Sequence, residues 1–334
     1  MKAFRILLVI VASLSLFACS KSSSSDERRS PTTTSIGQPC EVLLVLDKEV
    51  MASELKDTLK EILECDIPGL NQSEPFFRVS RVPMSIYKGE MLKMHSKLLV
   101  KIVHGQADAQ LQVAYNVDAK PQIQALLTAP DIASLQTYIR LNAEKVRQVL
   151  LDHQLSMIQS TFKRHHSKKV RSALQKYGLD GLLPEEIAYV KQGKDCFWAS
   201  SRTSEKQLNF VFYRVPAQEG ILSDRDQLVH LRDSVLAENI PGSRPDQWVE
   251  TVWEQEKPIV WLNKRAQNGQ MITELRGLWQ MRNGAMGGPF VSYAWLDKDG
   301  QLSVIEGFVF SPSTDKRDLV RRLEAGMRTI NPIE

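Results

Sequence analysis

Between Asp131 and Tyr177 apolar residues recur at helical spacing over a far longer stretch than an average helix occupies. Ile132, Leu135, Ile139, Val146, Val149 and Leu150 carry the period, Ile158 and Phe162 extend it, and support weakens afterwards. One helix over this span would be about 70 Å long, so a break is expected near His165–Ser167. Such a rod divides the chain into two halves, and each must bury a core of its own.

The halves share an order of elements. Glu41-Val-Leu-Leu-Val-Leu46 is a continuous apolar run with β-branched residues, the pattern of a buried strand. A helix over Met51–Glu64 follows, with Leu55, Leu59, Ile62 and Leu63 on one face, and it stops before Ile67-Pro68-Gly69. Strands are expected at 76–82, 97–104 and 111–117. In the second half, a strand over 208–215 precedes a helix over 225–238 capped by Ser223, which stops at Ile240-Pro241-Gly242. Strands at 271–281, 289–296 and 301–310 follow, then a helix at 315–329, with Asp297-Lys-Asp-Gly300 as a hairpin turn. The plan is α+β: a half over 40–130, a long connecting helix or helix pair over 131–178, and a half over 179–334. Two origins fit the matching order, an internal duplication or two unrelated α+β halves, because Pro and Gly commonly follow helix ends.

Ahead of this body, Lys2 and Arg5 form a short basic start, and Ile6–Phe17 is uncharged. At about 1.5 Å per residue that run cannot cross a ~30 Å hydrocarbon layer, so residues 1–18 read as a processed signal. Ala18 then precedes Cys19, the expected lipidation site. Residues 19–39 are dominated by Ser, Thr, Pro and charge, too polar to repay ordering, and read as a flexible tether. Ser20 lacks the acidic side chain that favours inner-membrane retention, which points to the outer membrane, its periplasmic face more than the cell surface.

The formal charge of +4 drops by two once Lys2 and Arg5 leave, too little to imply a nucleic-acid partner. Cys40, Cys65 and Cys196 remain beside Cys19, at spacings that make no zinc pattern. A helix packed back on its strand brings Cys40 and Cys65 together. Either a disulfide closing this loop of about 26 residues, contributing roughly 3 kcal/mol, or two buried thiols fits. Cys196, beside Phe197 and Trp198, reads as a buried free cysteine.

Residues 163–171 hold five fixed positive charges and no acid, a solvated face or a contact for anionic headgroups. All six tryptophans lie between 198 and 295; Trp261, Trp279 and Trp295 stand in apolar strand contexts and are expected in the core. The segment Asn283-Gly-Ala-Met-Gly-Gly-Pro289 precedes a strand, so a tight turn with close backbone approach is favoured over phosphate cradling. No spacing of His, carboxylate or nucleophile singles out a catalytic set, and no metal or cofactor pattern occurs.

Several segments form a distinctive set: Val42–Asp47, Ile67-Pro-Gly-Leu-Asn-Gln-Ser-Glu-Pro-Phe76, Arg232-Asp-Ser, Asn239-Ile-Pro-Gly242, Gly287–Tyr293 and Ile305-Glu-Gly-Phe-Val-Phe-Ser-Pro312. In these the chain resembles the domain-of-unknown-function family 4837, lipoproteins of Bacteroidota, over nearly the whole length after the signal. The resemblance implies an envelope lipoprotein and carries no activity. In element order residues 183–330 are also similar to PsbP-like α/β/α sandwiches. The expected function is a lipid-anchored, non-enzymatic binding or assembly component with an envelope protein partner. The alternative is an envelope hydrolase acting on glycan or peptide.

Overall fold

The first strand, β1 (Glu41–Leu46), is buried on both faces, as only a central strand covered from two sides can be. A computed structural model describes residues 32–333 apart from residue 268, so Cys19 and the signal lie outside the described residues. After β1 come α1 (Lys48–Ala52), α2 (Leu55–Glu64), β2 (Arg78–Pro83), β3 (Ser96–Ile102), β4 (Gln110–Tyr115) and β5 (Ile123–Ala129). The sheet order is β2-β1-β3-β5-β4, parallel except for the antiparallel β4–β5 pair. Val42, Leu44 and Leu46 enter one core, while Leu43, Val45 and Leu99 meet Met84, Tyr87 and Met91 on the other face.

The single helix expected over 51–64 is two. Asp47 caps α1 by accepting from Val50 N–H at 2.9 Å, and Ser53 closes it and accepts from Leu55 N–H at 3.3 Å. The connecting stretch is also two helices, α3 (Ile132–Phe162) and α4 (Lys168–Gln175), started by the side chains of Asp131 and Ser167. α3 lays Leu135, Ile139, Val146 and Leu150 on the first sheet's core.

The second half continues with β6 (Leu179–Asp180), β7 (Tyr189–Gln192), β8 (Cys196–Ser200), β9 (Gln207–Pro216), α5 (Arg225–Asn239) and β10 (Val249–Thr251). Two short strands, β11 (Trp253–Glu254) and β12 (Lys257–Pro258), pair with each other. Then come β13 (Val260–Gln267), β14 (Gln270–Met281), β15 (Gly287–Leu296), β16 (Gln301–Phe310), α6 (Arg317–Met327) and β17 (Asn331–Pro332), which pairs with β6. The large sheet runs β10-β14-β15-β16-β9-β8-β7, with β13 also on β14, and every pair is antiparallel. Apolar residues of α4 and α6 share the core on one face of it, and those of α5 share the core on the other. Asp224, not Ser223, caps α5 by accepting from Gln227 N–H at 3.0 Å; the Ser223 hydroxyl instead accepts from Lys264 Nζ at 2.8 Å.

The two halves do not share one topology. In the first, α2 returns the chain so that β2 lies parallel to β1, whereas the second is built from antiparallel pairs such as β15–β16. A duplication of one strand arrangement is therefore not what the matching order reflects. Nor does the expected tether run freely to residue 39. Lys120 N–H donates to Thr33 O at 2.9 Å and Ile36 N–H to Lys93 O at 3.0 Å, so this segment is pinned beside β3 and β5.

Candidate functional site

The first Ile-Pro-Gly turn builds the seam between the halves. Gly69 has φ +82°, and a Cβ there would stand 2.9 Å from Gly277 N, so the turn lies directly on β14. From the other side, Arg317 Nη1 donates to Pro75 O at 2.9 Å, Gln159 Nε2 to Ala325 O at 3.0 Å and Arg328 Nη1 to Asp152 at 2.6 Å. These contacts hold α6, a helix of the second half, against α3 and the 67–76 loop of the first.

They leave a cavity of about 1010 Å³ lined by both halves: Phe76 and α3 residues such as Asp152 on one side, and Trp261, Arg265 and Arg276 on the other. Arg321 comes from α6 and Arg328 from its C-cap. Glu274 binds Arg276 Nε at 2.6 Å, and Glu324 accepts from Arg276 Nη2 and, at 2.8 Å, from Arg321 Nη1. Arg265 Nε lies 3.4 Å from Glu274 without a hydrogen bond. Arg321 stacks on the Phe76 ring at 4.4 Å, and Arg265 on Tyr293 at 4.5 Å.

Three arginines, Arg265, Arg276 and Arg321, thus share two buried glutamates, while Arg328 pairs with Asp152. Burial disfavours ionisation of Glu274, but Arg276 and then Arg265 outweigh it and hold the carboxyl below its usual range. Burial, with Arg276 close by, draws the Arg321 guanidinium down to about 10. Positive charge is in excess here, and such a site favours a negative ligand.

The structure places the residues singled out by sequence elsewhere, or apart. Cys40 and Cys65 flank the same segment: Arg78 N–H donates to Cys40 O at 2.7 Å and Phe76 N–H to Cys65 O at 2.8 Å. Both are nevertheless free thiols, lining different cavities, with Asp318 and Arg321 beside Cys40 in its own. Cys196 is buried and free, its thiol 2.9 Å from Asn239 Oδ1. Within the basic stretch, Arg171 is paired with Asp180 at 2.7 and 2.8 Å, while Lys163, Arg164, Lys168 and Lys169 are exposed. Trp279 and Trp295 are buried, but Trp261 is 48% exposed at the cavity rim, because edge strand β13 turns it outward. A Cβ at Gly288 would stand 2.2 Å from Val309 O, the close backbone approach expected of the glycine-rich segment.

Residues 166–329 match the family model of a domain of unknown function, DUF4837. The second half is a DUF4837 domain. Residues 35–163 match a different one, DUF8532, so the DUF4837 resemblance does not extend over the whole chain. The two matches meet between α3 and α4, which assigns the long helix to the DUF8532 part and the short one to DUF4837. No curated protein matches the chain. Arg265, Arg276, Arg321 and Arg328 all belong to the DUF4837 domain, and Phe76 and Asp152 to the other. Within DUF4837, Arg232 and Glu306 from two of the quoted segments form a buried bidentate pair at 2.7 and 2.8 Å. That pair is satisfied by Thr251 as well and belongs to the core.

Sequence reasoning passed over the arginine cluster. The local signal was a pair of arginines seven apart, on α6 and at its C-cap, which an ordinary charged helix face also carries.

Proposed function

We propose that this protein is a lipid-anchored binding component of the cell envelope, tethered through Cys19, whose ligand enters the cleft between the DUF8532 and DUF4837 parts. The observation that carries this reading is the ~1010 Å³ cavity at the seam, with Trp261 exposed at its rim. Seams between domains are preferred places for ligands, and a ligand there touches both parts at once. Acyl chains on Cys19, at about 0.8 kcal/mol per buried methylene, would give stable anchoring.

Two measurements test it. Cys19→Ala should move the protein from the membrane to the soluble fraction; continued membrane recovery of that variant counts against the anchor. A photocrosslinking residue at position 261 should give a discrete adduct in cells by mass spectrometry, while one at position 141, also exposed, should not. Equal labelling at both positions, or none at 261, refutes the cleft as the ligand site.

A further inference from the structure

We infer that the cleft takes a ligand bearing two or more phosphate or carboxylate groups, seated on Arg265, Arg321 and Arg328, with the rest of its body toward Trp261. This rests on reading the cleft as the ligand site. Arg321 is 2% exposed, and although its Nη1 donates to Glu324, its Nε and Nη2 have no hydrogen-bond partner. Arg265 Nε and Arg328 Nε are likewise unpartnered. All three residues line one cavity.

Buried donors are normally satisfied, and buried charge is normally met by counter-charge. Here Glu274 and Glu324 are shared among three guanidinium groups, and the acid facing the fourth, Arg328, is Asp152 on α3. A guanidinium offers a planar fork of donors that matches carboxylate and phosphate oxygens, and burial strengthens that attraction. Arg321, with Nε and Nη2 both unpartnered, presents such a fork, and Arg265 and Arg328 each add an unpartnered Nε, which suits a ligand with more than one anionic group. A volume of about 1010 Å³ is at the upper end for small-molecule sites, so the anionic groups occupy only part of it. An exposed indole at the rim gives the remaining part a flat apolar surface to stack on.

The test uses the full mature chain, with inorganic pyrophosphate and citrate as separate probes in titrations at constant ionic strength set by sodium chloride. Saturable binding of at least one probe, weakened tenfold or more in Arg265→Gln and in Arg321→Gln, is the expected result. Pyrophosphate alone would mark the ligand's groups as phosphates, and citrate alone as carboxylates. Arg265 lies on an edge strand, so Arg265→Gln, its fold checked by circular dichroism, carries the test even if Arg321→Gln does not fold. No binding of either probe beyond chloride overturns the inference, as does binding that Arg265→Gln leaves unchanged. If both probes fail while position 261 still crosslinks, the cleft remains a ligand site and only its anionic character is lost.

Discussion

The carboxylate of Glu74 caps a helix that begins at Arg317 in the other half: it accepts from Arg317 N–H and Lys316 N–H, each at 2.8 Å. No side chain of α6's own N-cap residue makes a capping hydrogen bond, so the first turn of that helix depends on a loop far away in sequence. Two charge-assisted bonds from a buried carboxylate at a helix N-terminus stabilise the fold by about 2–3 kcal/mol. Glu74→Ala should cost that much in urea unfolding, and Glu74→Gln about half. A change below roughly 0.5 kcal/mol for the alanine variant would show that α6 is held by its packing alone.

Arg232 and Glu306 are both buried, and burial raises the Glu306 carboxyl against the pull of Arg232. Removing one partner strands the other charge, so Arg232→Met or Glu306→Leu should each destabilise by about 3–5 kcal/mol. The double variant should cost less than the sum of the two, because no charge is left alone. Strict additivity in thermal or urea unfolding would mean that the pair does not act as a unit.

Stability should fall on acidification well before the carboxylates titrate. Burial, then neighbouring His95, depresses the His153 imidazole to about 4, and burial lowers His95 as well. His153 Nε2 has no partner, while His95 is held by Ser96 Oγ and Gln38 O, each at 2.9 Å. In the unfolded chain histidine titrates near 6.5, so between about 6.5 and about 4 the unfolded state binds more protons. The stability is therefore full above that window and declines as pH falls through it, by up to about 1.4 kcal/mol per pH unit for each histidine. Urea unfolding at about pH 7.5 and about pH 5 should show the loss, and His153→Leu should flatten it. A slope unchanged in that variant would assign the effect elsewhere.

Gly288 and Gly300 should respond differently to alanine. At Gly288 a Cβ meets the Val309 carbonyl, which also accepts from Trp279 Nε1 at 3.0 Å, so β15 and β16 must part; a loss of about 2–3 kcal/mol is expected. Gly300 has φ +73° in open space, where only left-handed backbone strain of about 1 kcal/mol applies. Circular-dichroism melts of the two variants should rank them in that order, and the reverse order would mean that the sheet yields easily at Gly288.

The thiols should differ in reactivity. Burial pushes Cys40 up to about 11 and raises Cys196, whereas Cys65 is only half-buried. Alkylation of the native protein followed by peptide mapping should therefore modify Cys65 first. A linked Cys40–Cys65 peptide under non-reducing conditions would instead show the bridge that the sequence allows.

The elements that could be read from sequence are those whose signal is local. β14, β15 and β16 are long apolar runs, and Asp297 closes the β15–β16 turn by accepting from Asp299 and Gln301 N–H at 3.0 and 2.9 Å. β5 is not legible as a strand, and β13, whose Trp261 stands in an apolar strand context, is not legible as an edge, for opposite reasons. β5 carries Gln and Thr yet is buried by its neighbours, and β13 carries an apolar run yet lies at an edge with Trp261 in solvent. Strand content depends on pairing partners as much as on the strand's own residues.

From residue order alone came the division into two α+β halves about a helical connector and the buried strands. Each of these rests on periodicity or composition within a short window, which physics relates directly to helix or strand. The cleft has no such window. Phe76, Arg265, Arg276, Arg321 and Arg328 come from a loop, two strands and a helix, and only the packing of α6 between the halves gathers them. An arginine's cost or use is set by burial and by the charges around it, and those are properties of the folded chain.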